Sequence, residues 1–229
     1  YHYINDVIST PDGGYLLSTG DILRLDNDFN LEWEKDLPYG EPWIGRIIVT
    51  SDGRYAMTAW NSDDQRMFIK IMEEGGMESL SSEFSYNEIN HEETGNDLLE
   101  LVEGGFIIAG RSRTCDEPWD MDNGIIRVDR SGHKVWSKSF GTGQNEWLDE
   151  FIYHKEDEII VQGSIGYPND PVLKTILIKL DPDGYITDSL TTDRIGPLLY
   201  HPHHYFVKYK DEEEESFHFE KIPFNELFR

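Results

Sequence analysis

The sequence predicts an all-β protein, most simply a β-propeller of five four-stranded blades. Two observations predict this fold: a turn followed by a short apolar run recurs along the chain, and an apolar–basic–apolar triplet follows each copy. Successive triplets are 42 to 57 residues apart, and no long window has helical periodicity. Four short strands at that repeat length are typical of one propeller blade.

The first signature consists of turn residues that lead directly into β-type residues. Its copies occupy residues 11–17, 51–57, 102–108, 155–160 and 202–207, of which the last two are weaker. The triplets are centred on Arg24, Lys70, Arg127, Lys179 and Lys221. Because side chains alternate along a strand, we expect each basic residue to be a polar position between two apolar ones.

Each unit is expected to contain strands A to D, with A nearest a central axis and D at the rim. The predicted C–D turns lie at 26–28, 74–76, 129–132 and 181–184. The approximate blades are 1–42, 43–93, 94–147, 148–196 and 197–229, within a single domain 1–229. One four-stranded sheet cannot bury both of its faces, so stability must come from stacking on its neighbours.

Closure of the ring has two interpretations. The first strand A is expected at about residues 3–8 and the last strand D at about residues 226–228. In that phase no strand is exchanged between the first and last blades, so side-chain packing alone would close a five-bladed ring. Alternatively, the chain is part of a longer ring of six or seven blades.

Composition excludes several classes of protein. The chain has 45 acidic and 20 basic residues, a formal net charge of −25, and 38% hydrophobic residues, which suffice for a core. Nucleic-acid binding is not expected, because such binding depends on Lys and Arg that neutralise phosphates. No apolar run approaches the length of a transmembrane helix. The single cysteine, Cys115, cannot form an internal disulfide and fits no cysteine-based metal motif.

Units one and three carry a resemblance to a known group of proteins. The residues concerned are 12–20, 22–33, 104–110, 125–129 and 135–141. These segments resemble the repeats of secreted bacterial β-propeller proteins, which are similar to quinoprotein-dehydrogenase-like propellers. The resemblance implies a propeller over most of the chain and a location in the cell envelope or extracellular space. It implies no catalytic or cofactor-binding set, and units two, four and five depart from the pattern.

The two ends of the predicted ring differ in composition. The B–C loops (61–66, 111–123, 164–174 and 210–216) and the D–A connections (38–43, 85–97 and 141–147) emerge at one end and are the longer set. The candidate ligand-binding residues at this end are Tyr39, Trp43, Trp60, Trp119, Trp147 and Tyr167. Aromatic anchors on loops held by a rigid scaffold are typical of recognition sites. Alternatively, these aromatic residues cover the blade ends and fill the channel.

Two other tryptophans have a different interpretation. Trp33 and Trp136 occupy equivalent strand-D positions in units one and three, so we expect them to pack between blades.

Evidence for a metal site is limited to one acidic loop. Asp116, Asp120 and Asp122 could supply oxygen ligands for calcium, although calcium needs six to eight oxygens and therefore further ligands. A solvated acidic loop is the alternative. The segments that begin at Asp26 and Asp181 lack the glycine and glutamate of an EF-hand and are interpreted as C–D turns. No other cofactor is predicted.

No catalytic motif is found in the chain, which has neither a nucleophile elbow nor a dinucleotide-binding glycine motif. The sequence therefore favours a non-enzymatic binding or scaffold propeller that recognises a glycan, a peptide or a protein. A glycan-active enzyme is the alternative, and it predicts carboxylates with raised pKa values at the mouth of the channel. A further alternative is that the chain is a sensor domain of a larger protein.

Overall fold

The computed structural model describes residues 4–37, 43–61, 66–85, 93–113, 121–155, 158–166, 174–192, 198–201, 204–211 and 216–223. Side chains are described within these ranges except at 153–155 and from 192 onward. In this part of the chain all regular structure is β-strand. No helix in it is long and apolar enough to cross a membrane.

Within the described residues, nineteen strands form five antiparallel sheets in chain order. The first sheet contains β1 (Asp6–Ser9), β2 (Tyr15–Ser18), β3 (Ile22–Leu25) and β4 (Leu31–Lys35). The second contains β5 (Trp43–Val49), β6 (Tyr55–Asn61), β7 (Arg66–Met72) and β8 (Glu78–Phe84). The third contains β9 (Glu93–Glu100), β10 (Phe106–Arg113), β11 (Met121–Val128) and β12 (Lys134–Phe140). The fourth contains β13 (Glu146–Lys155), β14 (Glu158–Ile165), β15 (Lys174–Leu180) and β16 (Ile186–Thr192). The fifth contains β17 (Leu198–His201), β18 (His204–Asp211) and β19 (Ser216–Pro223).

The all-β prediction is confirmed, but the prediction of five four-stranded blades is wrong in its count. Four sheets have four strands, whereas the fifth has three within the described residues. The strand predicted at about residues 226–228 lies outside the described residues. The fifth unit is also the one in which the repeat signatures of the sequence are weak.

The first three A–B turns and the four C–D turns each contain at least one residue with positive φ, as short loops of this kind require. In the A–B turns, Gly13 N donates to Thr10 O and Gly53 N donates to Thr50 O, both at 2.9 Å. In the C–D turns, the Asp129 carboxylate accepts from the backbone N of Ser131 and of His133 at 2.8 and 2.9 Å. The interpretation of the segments at Asp26 and Asp181 as C–D turns is confirmed by the same pattern of backbone hydrogen bonds.

The first strands of successive sheets lie next to one another, in the order β1, β5, β9, β13 and β17. Three apolar cores fill the spaces between sheets one and two, two and three, and three and four. Met57 and Phe68 belong to the core shared with the first sheet, whereas Ala56 and Ile69 belong to the core shared with the third. Sheets two and three therefore bury apolar side chains on both faces, as stacked blades require.

A repeated contact joins the outer strands β4 and β12 to the next sheet. The ring of Trp33 lies 3.1 Å from the position that a Cβ would take at Gly76, and the ring of Trp136 lies 2.4 Å from the corresponding position at Gly184. Trp33 Nε1 also donates to Glu74 O at 3.2 Å. Both tryptophans pack on turns of the next sheet, so the prediction that they serve blade packing is confirmed.

The basic residues of strand C are more buried than a simple alternating pattern predicts. Arg24 and Lys70 are each only 1% exposed, and they form ion pairs with Asp12 and Glu78 respectively. A buried charge requires such a partner, because loss of hydration is otherwise uncompensated. The expected polar position is therefore occupied by a buried basic residue that forms an ion pair with an acidic residue of its own sheet.

Candidate functional site

Three neighbouring inner strands contain a β-bulge at the same position. In each of β5, β9 and β13 the register with the second strand of the sheet skips one residue, and the skipped residues are Gly45, Asn96 and Asp149. A bulge turns two consecutive side chains of one strand toward similar directions, and bulges are common beside binding sites. The skipped residue of β5 is glycine for a steric reason, because a Cβ on Gly45 would lie 2.0 Å from the carbonyl oxygen of Gly95.

Charged residues at or directly after these bulges, together with Asp6 of β1, form the axial cluster, which we define as Asp6, Arg46, Asp97, Asp149 and Glu150. Arg46 Nε lies 3.4 Å from Asp97 Oδ1, and an Arg46 terminal nitrogen lies 4.0 Å from Asp6 Oδ1. Asp6 accepts a hydrogen bond from Ile47 N at 2.9 Å, and Asp97 accepts one from Phe151 N at 2.6 Å. Each aspartate therefore fixes the inner strand of the next sheet.

Burial changes the acidity of three carboxyl groups in the cluster. It raises the pKa of Asp97 to about 6, although hydrogen bonding from Phe151 N and the nearby Arg46 guanidinium favour the ionised form. It also raises the pKa of Asp149 to about 6, opposed by the hydroxyl of Ser164, which donates to Asp149 Oδ2 at 3.0 Å. Burial also raises the pKa of Glu150, and the nearby Arg46 guanidinium offsets only part of that rise.

The carboxyl groups of the cluster differ in their exposure to solvent. The Asp97 side chain is 6% exposed, and its two oxygens accept hydrogen bonds from Phe151 N and Leu98 N. Asp149 and Glu150 are half-buried, and the Arg46 side chain is 46% exposed. Asp97 therefore holds the strands together, while Arg46, Asp149 and Glu150 present charge that a ligand could reach.

The aromatic residues of the predicted site begin the inner strands. Trp43 is the first residue of β5, where it is 59% exposed and lies opposite Trp60 of β6. Trp147 occupies the equivalent position in β13, three residues before Glu150, and its indole opposes the effect of burial on the pKa of Asp149. Trp60 is half-buried, and its Nε1 has no hydrogen-bond partner among the described residues. Trp43 and Trp60 thus lie opposite one another on paired strands, and Trp147 lies at the same end of the inner strands.

Two buried glutamates support this end of the inner strands. Glu93 accepts a hydrogen bond from Ser85 Oγ at 3.0 Å, and Glu146 accepts from Thr142 N at 2.9 Å. Glu146 also accepts from Asn123 Nδ2 at 3.0 Å. Because each glutamate joins the start of an inner strand to the connection before it, the Trp147 position rests on an ordered hydrogen-bonded base.

Five residues of the predicted ligand and metal sites lie outside the described residues, namely Tyr39, Asp116, Trp119, Asp120 and Tyr167. Asp122 lies in β11, opposite Ser112, so part of the predicted B–C loop 111–123 is strand. A different acidic group is brought together in the first sheet, where Asp21, Glu34 and Asp36 each place one oxygen within 4.8 Å of the others.

Sequence reasoning found the tryptophans but missed the axial cluster. Asp6, Arg46 and Asp97 each lie opposite the fourth residue of the second strand in their sheets, and Glu150 lies opposite the fifth residue, Gln162. A charged residue at the corresponding position of four inner strands is a signal that an alignment of the repeats could have found.

The fold is similar to that of solved β-propeller structures. A protein of unknown function from Bacteroides caccae aligns with a TM-score of 0.60 and 12% identity, over 93% of this chain and 72% of that chain. BBS1N, a β-propeller crystallised in complex with ARL6DN, aligns with a TM-score of 0.56 and 12% identity, over 96% of this chain and 65% of that chain. No protein-family model matches the chain, and neither does any curated protein. These likenesses establish a propeller-like fold.

Proposed function

We propose that this protein is a non-enzymatic binding or scaffold propeller whose ligand contacts the Trp43 end of the inner strands. One observation carries the proposal: Trp43 lies in a paired strand beside Trp60, yet it is 59% exposed. A large indole held on a rigid strand loses little conformational freedom when it binds, which is why tryptophan is enriched at binding hot spots.

The surroundings of Trp43 give the ligand its chemical character. Arg46 follows three residues later in the same strand, about 10 Å away along an extended backbone. Glu150 and Asp149 stand at the equivalent place in β13, next to Trp147. A ligand with one apolar face and several polar groups, such as a glycan, a peptide or a protein loop, suits this combination of indole rings and mixed charges.

The proposed setting is the cell envelope or extracellular space, with repeats of the quinoprotein-dehydrogenase-like type. This part of the proposal is based on the segments 104–110 and 135–141 and on their resemblance to secreted propeller repeats. BBS1N, one of the similar structures, was crystallised in complex with another protein, ARL6DN, which lends weak support to a protein ligand. The acidic loop that contains Asp122 is proposed to bind calcium through its carboxylates.

Substitution of the exposed tryptophan tests the proposal. An immobilised glycan array and a displayed random-peptide library first identify a probe that binds the wild-type chain. Trp43→Ala should then weaken binding of that probe at least tenfold, or about 1.4 kcal/mol, because hot-spot tryptophans contribute this much or more. Val135→Ala removes a similarly exposed apolar side chain from an outer strand, where Val135 is 54% exposed, and should leave binding unchanged.

Thermal unfolding separates binding from packing in the same experiment. Trp33→Ala should lower the melting temperature because Trp33 packs on the next sheet, whereas Trp43→Ala should leave it near wild type. A Trp43→Ala chain that unfolds as easily as Trp33→Ala, or that binds the probe as well as wild type, would contradict the proposal.

A glycan-active enzyme is the second candidate, and one observation favours it. The pKa of Asp149 is raised to about 6 and that of Glu150 is raised in the same bulge, so one carboxyl group can be protonated at mildly acidic pH while another is ionised. A panel of nitrophenyl glycosides assayed from pH 4 to 8 would detect such activity. Turnover that disappears in Glu150→Gln would favour the enzyme, and absence of turnover with every substrate would favour binding.

A further inference from the structure

The turn between β3 and β4 differs from the other C–D turns at one position. In sheets two, three and four, the residue whose backbone N closes the turn is a glycine with positive φ, namely Gly76, Gly132 or Gly184. In the first sheet this residue is Phe29, whose N donates to Asp26 O at 3.1 Å and whose φ is +64°. Among the described residues, Phe29 is the one non-glycine residue with positive φ. A bulky side chain thus occupies a conformation that disfavours any residue with a Cβ.

The ring of Phe29 forms a flat surface that solvent reaches. It stacks on the ring of Tyr15 of β2, with the ring centroids 4.9 Å apart and the planes 9° from parallel. Tyr15 is half-buried, whereas Phe29 is 67% exposed. One face of the Phe29 ring therefore covers the tyrosine and leaves the opposite face free for a ligand. Burial of apolar surface does not account for a strained residue that remains this exposed, whereas contact with a ligand does.

Hydrogen bonds hold the turn around Phe29 in one conformation. The Asp26 carboxylate accepts from Asp28 N at 2.8 Å, from Asn30 N at 2.8 Å and from Asn30 Nδ2 at 2.9 Å. The residues on both sides of Phe29 are therefore fixed to the same side chain. A ring presented in this way loses little conformational freedom when a ligand binds.

Exposed carboxylates lie at the same end of the sheet. Asp28 directly precedes Phe29 and is exposed. The neighbouring A–B turn adds Asp12, whose side chain is 51% exposed. The two turns adjoin, since a Cβ on Gly13 would lie 4.0 Å from the Cβ of Asn27. Both turns thus contribute negative charge close to the exposed ring.

One basic residue lies nearby, and it does not neutralise this charge. Arg24 is 1% exposed and forms ion pairs with both Asp12 and Glu32. A single guanidinium shared by two carboxylates leaves a net negative charge, to which Asp28 adds. The whole chain carries −25, so a cationic group is attracted both to the molecule and to this end of the first sheet.

We propose that Tyr15 and Phe29 form an aromatic platform that binds an arginine side chain of a partner protein. A guanidinium is planar, so it stacks on an aromatic face while it pairs with a carboxylate. Phe29 supplies the face and Asp28 supplies the carboxylate. The C–D turns lie where the inner strands end, whereas Trp43 begins an inner strand, so the aromatic platform is separate from the Trp43 site and does not depend on it.

Two synthetic peptides of equal length and charge test the aromatic platform. In one, glycine alternates with arginine, and in the other, glycine alternates with lysine. Calorimetric titration of the full chain should show tighter binding of the arginine peptide. Phe29→Gly should weaken binding of that peptide about two- to fivefold, the effect of one exposed cation–π contact, and should remove the preference over lysine. Phe29→Trp should keep or increase the affinity, because tryptophan is the best cation–π partner.

Matched controls separate ligand binding from packing. Leu31→Ala removes another exposed apolar side chain, 54% exposed at the start of β4, and should bind both peptides as wild type does. Phe29→Gly should keep a melting temperature near wild type, because glycine relieves the positive φ. A larger fall in melting temperature than that of Leu31→Ala would assign the ring to packing and overturn the proposal.

Three further results determine whether the ligand is arginine. Equal affinity of wild type and Phe29→Gly for the arginine peptide would overturn the proposal. Binding of a neutral oligosaccharide that is lost in Phe29→Gly, without a preference for arginine, would assign the aromatic platform to a glycan and would also overturn it. Trp43→Ala should bind the arginine peptide as wild type does, so failure of the Trp43 site would leave this result unchanged.

Discussion

At the scale of single residues, Asp97 and Asp149 share a perturbed acidity but differ in what they contact. Burial raises the pKa of each to about 6. Asp97 accepts backbone hydrogen bonds from Leu98 and Phe151, whereas Asp149 accepts one from the hydroxyl of Ser164. A hydroxyl can rotate to suit either an acid or an amide, while two fixed backbone donors need two acceptors. The same substitution should therefore have opposite effects at the two positions.

Replacement by asparagine provides a matched pair of variants. At pH 7.5, Asp149→Asn should raise the free energy of unfolding, because it removes a desolvated charge and keeps an oxygen for Ser164. Asp97→Asn should lower it by about 1–3 kcal/mol, because one buried backbone N–H loses its acceptor. Denaturant unfolding measures both values. A destabilised Asp149→Asn chain would mean that the Asp149 charge has a favourable partner in the folded state.

The raised pKa values also predict how stability depends on pH. A carboxyl group with a folded pKa of about 6 and an ordinary value of 3.8 binds more protons in the folded state between those pH values. Stability should therefore fall as pH rises from 4.5 to 7, by roughly 1–3 kcal/mol for each fully buried group. Asp12, Asp52 and Asp129 have lowered pKa values, so their protonation changes the stability of the fold only near and below their ordinary pKa and does not contribute between pH 4.5 and 7.

Asp149→Asn isolates this dependence from every other titrating group. The slope of unfolding free energy against pH between 4.5 and 7 should be smaller in the variant than in wild type. Identical slopes would show that Asp149 has the same acidity in the folded and unfolded chains.

At the scale of secondary-structure elements, the contact between an outer strand and the next turn depends on glycine. Gly184 has φ +74°, and a Cβ there would lie 2.4 Å from the ring of Trp136. Gly53 has φ +86° in an A–B turn, with no neighbouring atom within 4 Å of its Cβ position. At both positions the positive φ would strain any residue other than glycine. Only at Gly184 would the added side chain also clash with a neighbouring sheet.

Alanine at these two glycines should separate the two effects. Gly53→Ala should cost about 1–2 kcal/mol of unfolding free energy, the usual penalty for a left-handed L residue. Gly184→Ala should cost about 1–3 kcal/mol more, because Trp136 must move. Chemical denaturation of both variants gives the comparison. Equal losses would show that the Trp136 ring adjusts freely and that this contact contributes little to stacking.

The extent of sequence-based prediction also becomes clear at the scale of elements. Turns such as those at Gly13 and Asp129 were predictable because their chemistry is local. The triplet centred on Lys70 does not occupy the same strand position as the triplet centred on Arg24. Arg24 is two residues before the turn residue Asp26, whereas Lys70 is three residues before the turn residue Glu73. An offset of one residue puts a side chain on the other face of the sheet, and composition alone cannot detect it.

The candidate site was only partly predictable for a similar reason. Trp43 and Trp147 were identified because exposed aromatic residues near loops are a compositional signal. The contact between Arg46 and Asp97 joins residues in different sheets, and it depends on bulges at Gly45 and Asn96. Nothing local marks which residue of a strand is skipped, so the axial cluster emerges only when the sheets are packed together.

At the scale of the whole molecule, the net charge of −25 opposes compaction through mutual repulsion of surface carboxylates. Screening weakens this repulsion, since the Debye length falls from about 30 Å at 0.01 M to about 10 Å at 0.1 M salt. The melting temperature should therefore rise between 0.01 and 0.5 M sodium chloride. A propeller of similar size with a net charge near zero would lack this dependence, and a falling melting temperature here would mean that specific ion pairs outweigh general repulsion.

Calcium addition must be compared at equal ionic strength, because any cation screens an acidic surface. Asp21, Glu34 and Asp36 form the carboxylate group found among the described residues, while the predicted calcium ligands are Asp116, Asp120 and Asp122. A specific site would raise the melting temperature with calcium well above the value in magnesium, since calcium accepts irregular carboxylate shells and magnesium demands octahedral geometry. If the two cations give equal shifts, both carboxylate groups contribute through bulk charge alone. If calcium exceeds magnesium, Asp36→Asn and Asp120→Asn identify which group binds it, because only the variant at the true site loses the excess stabilisation.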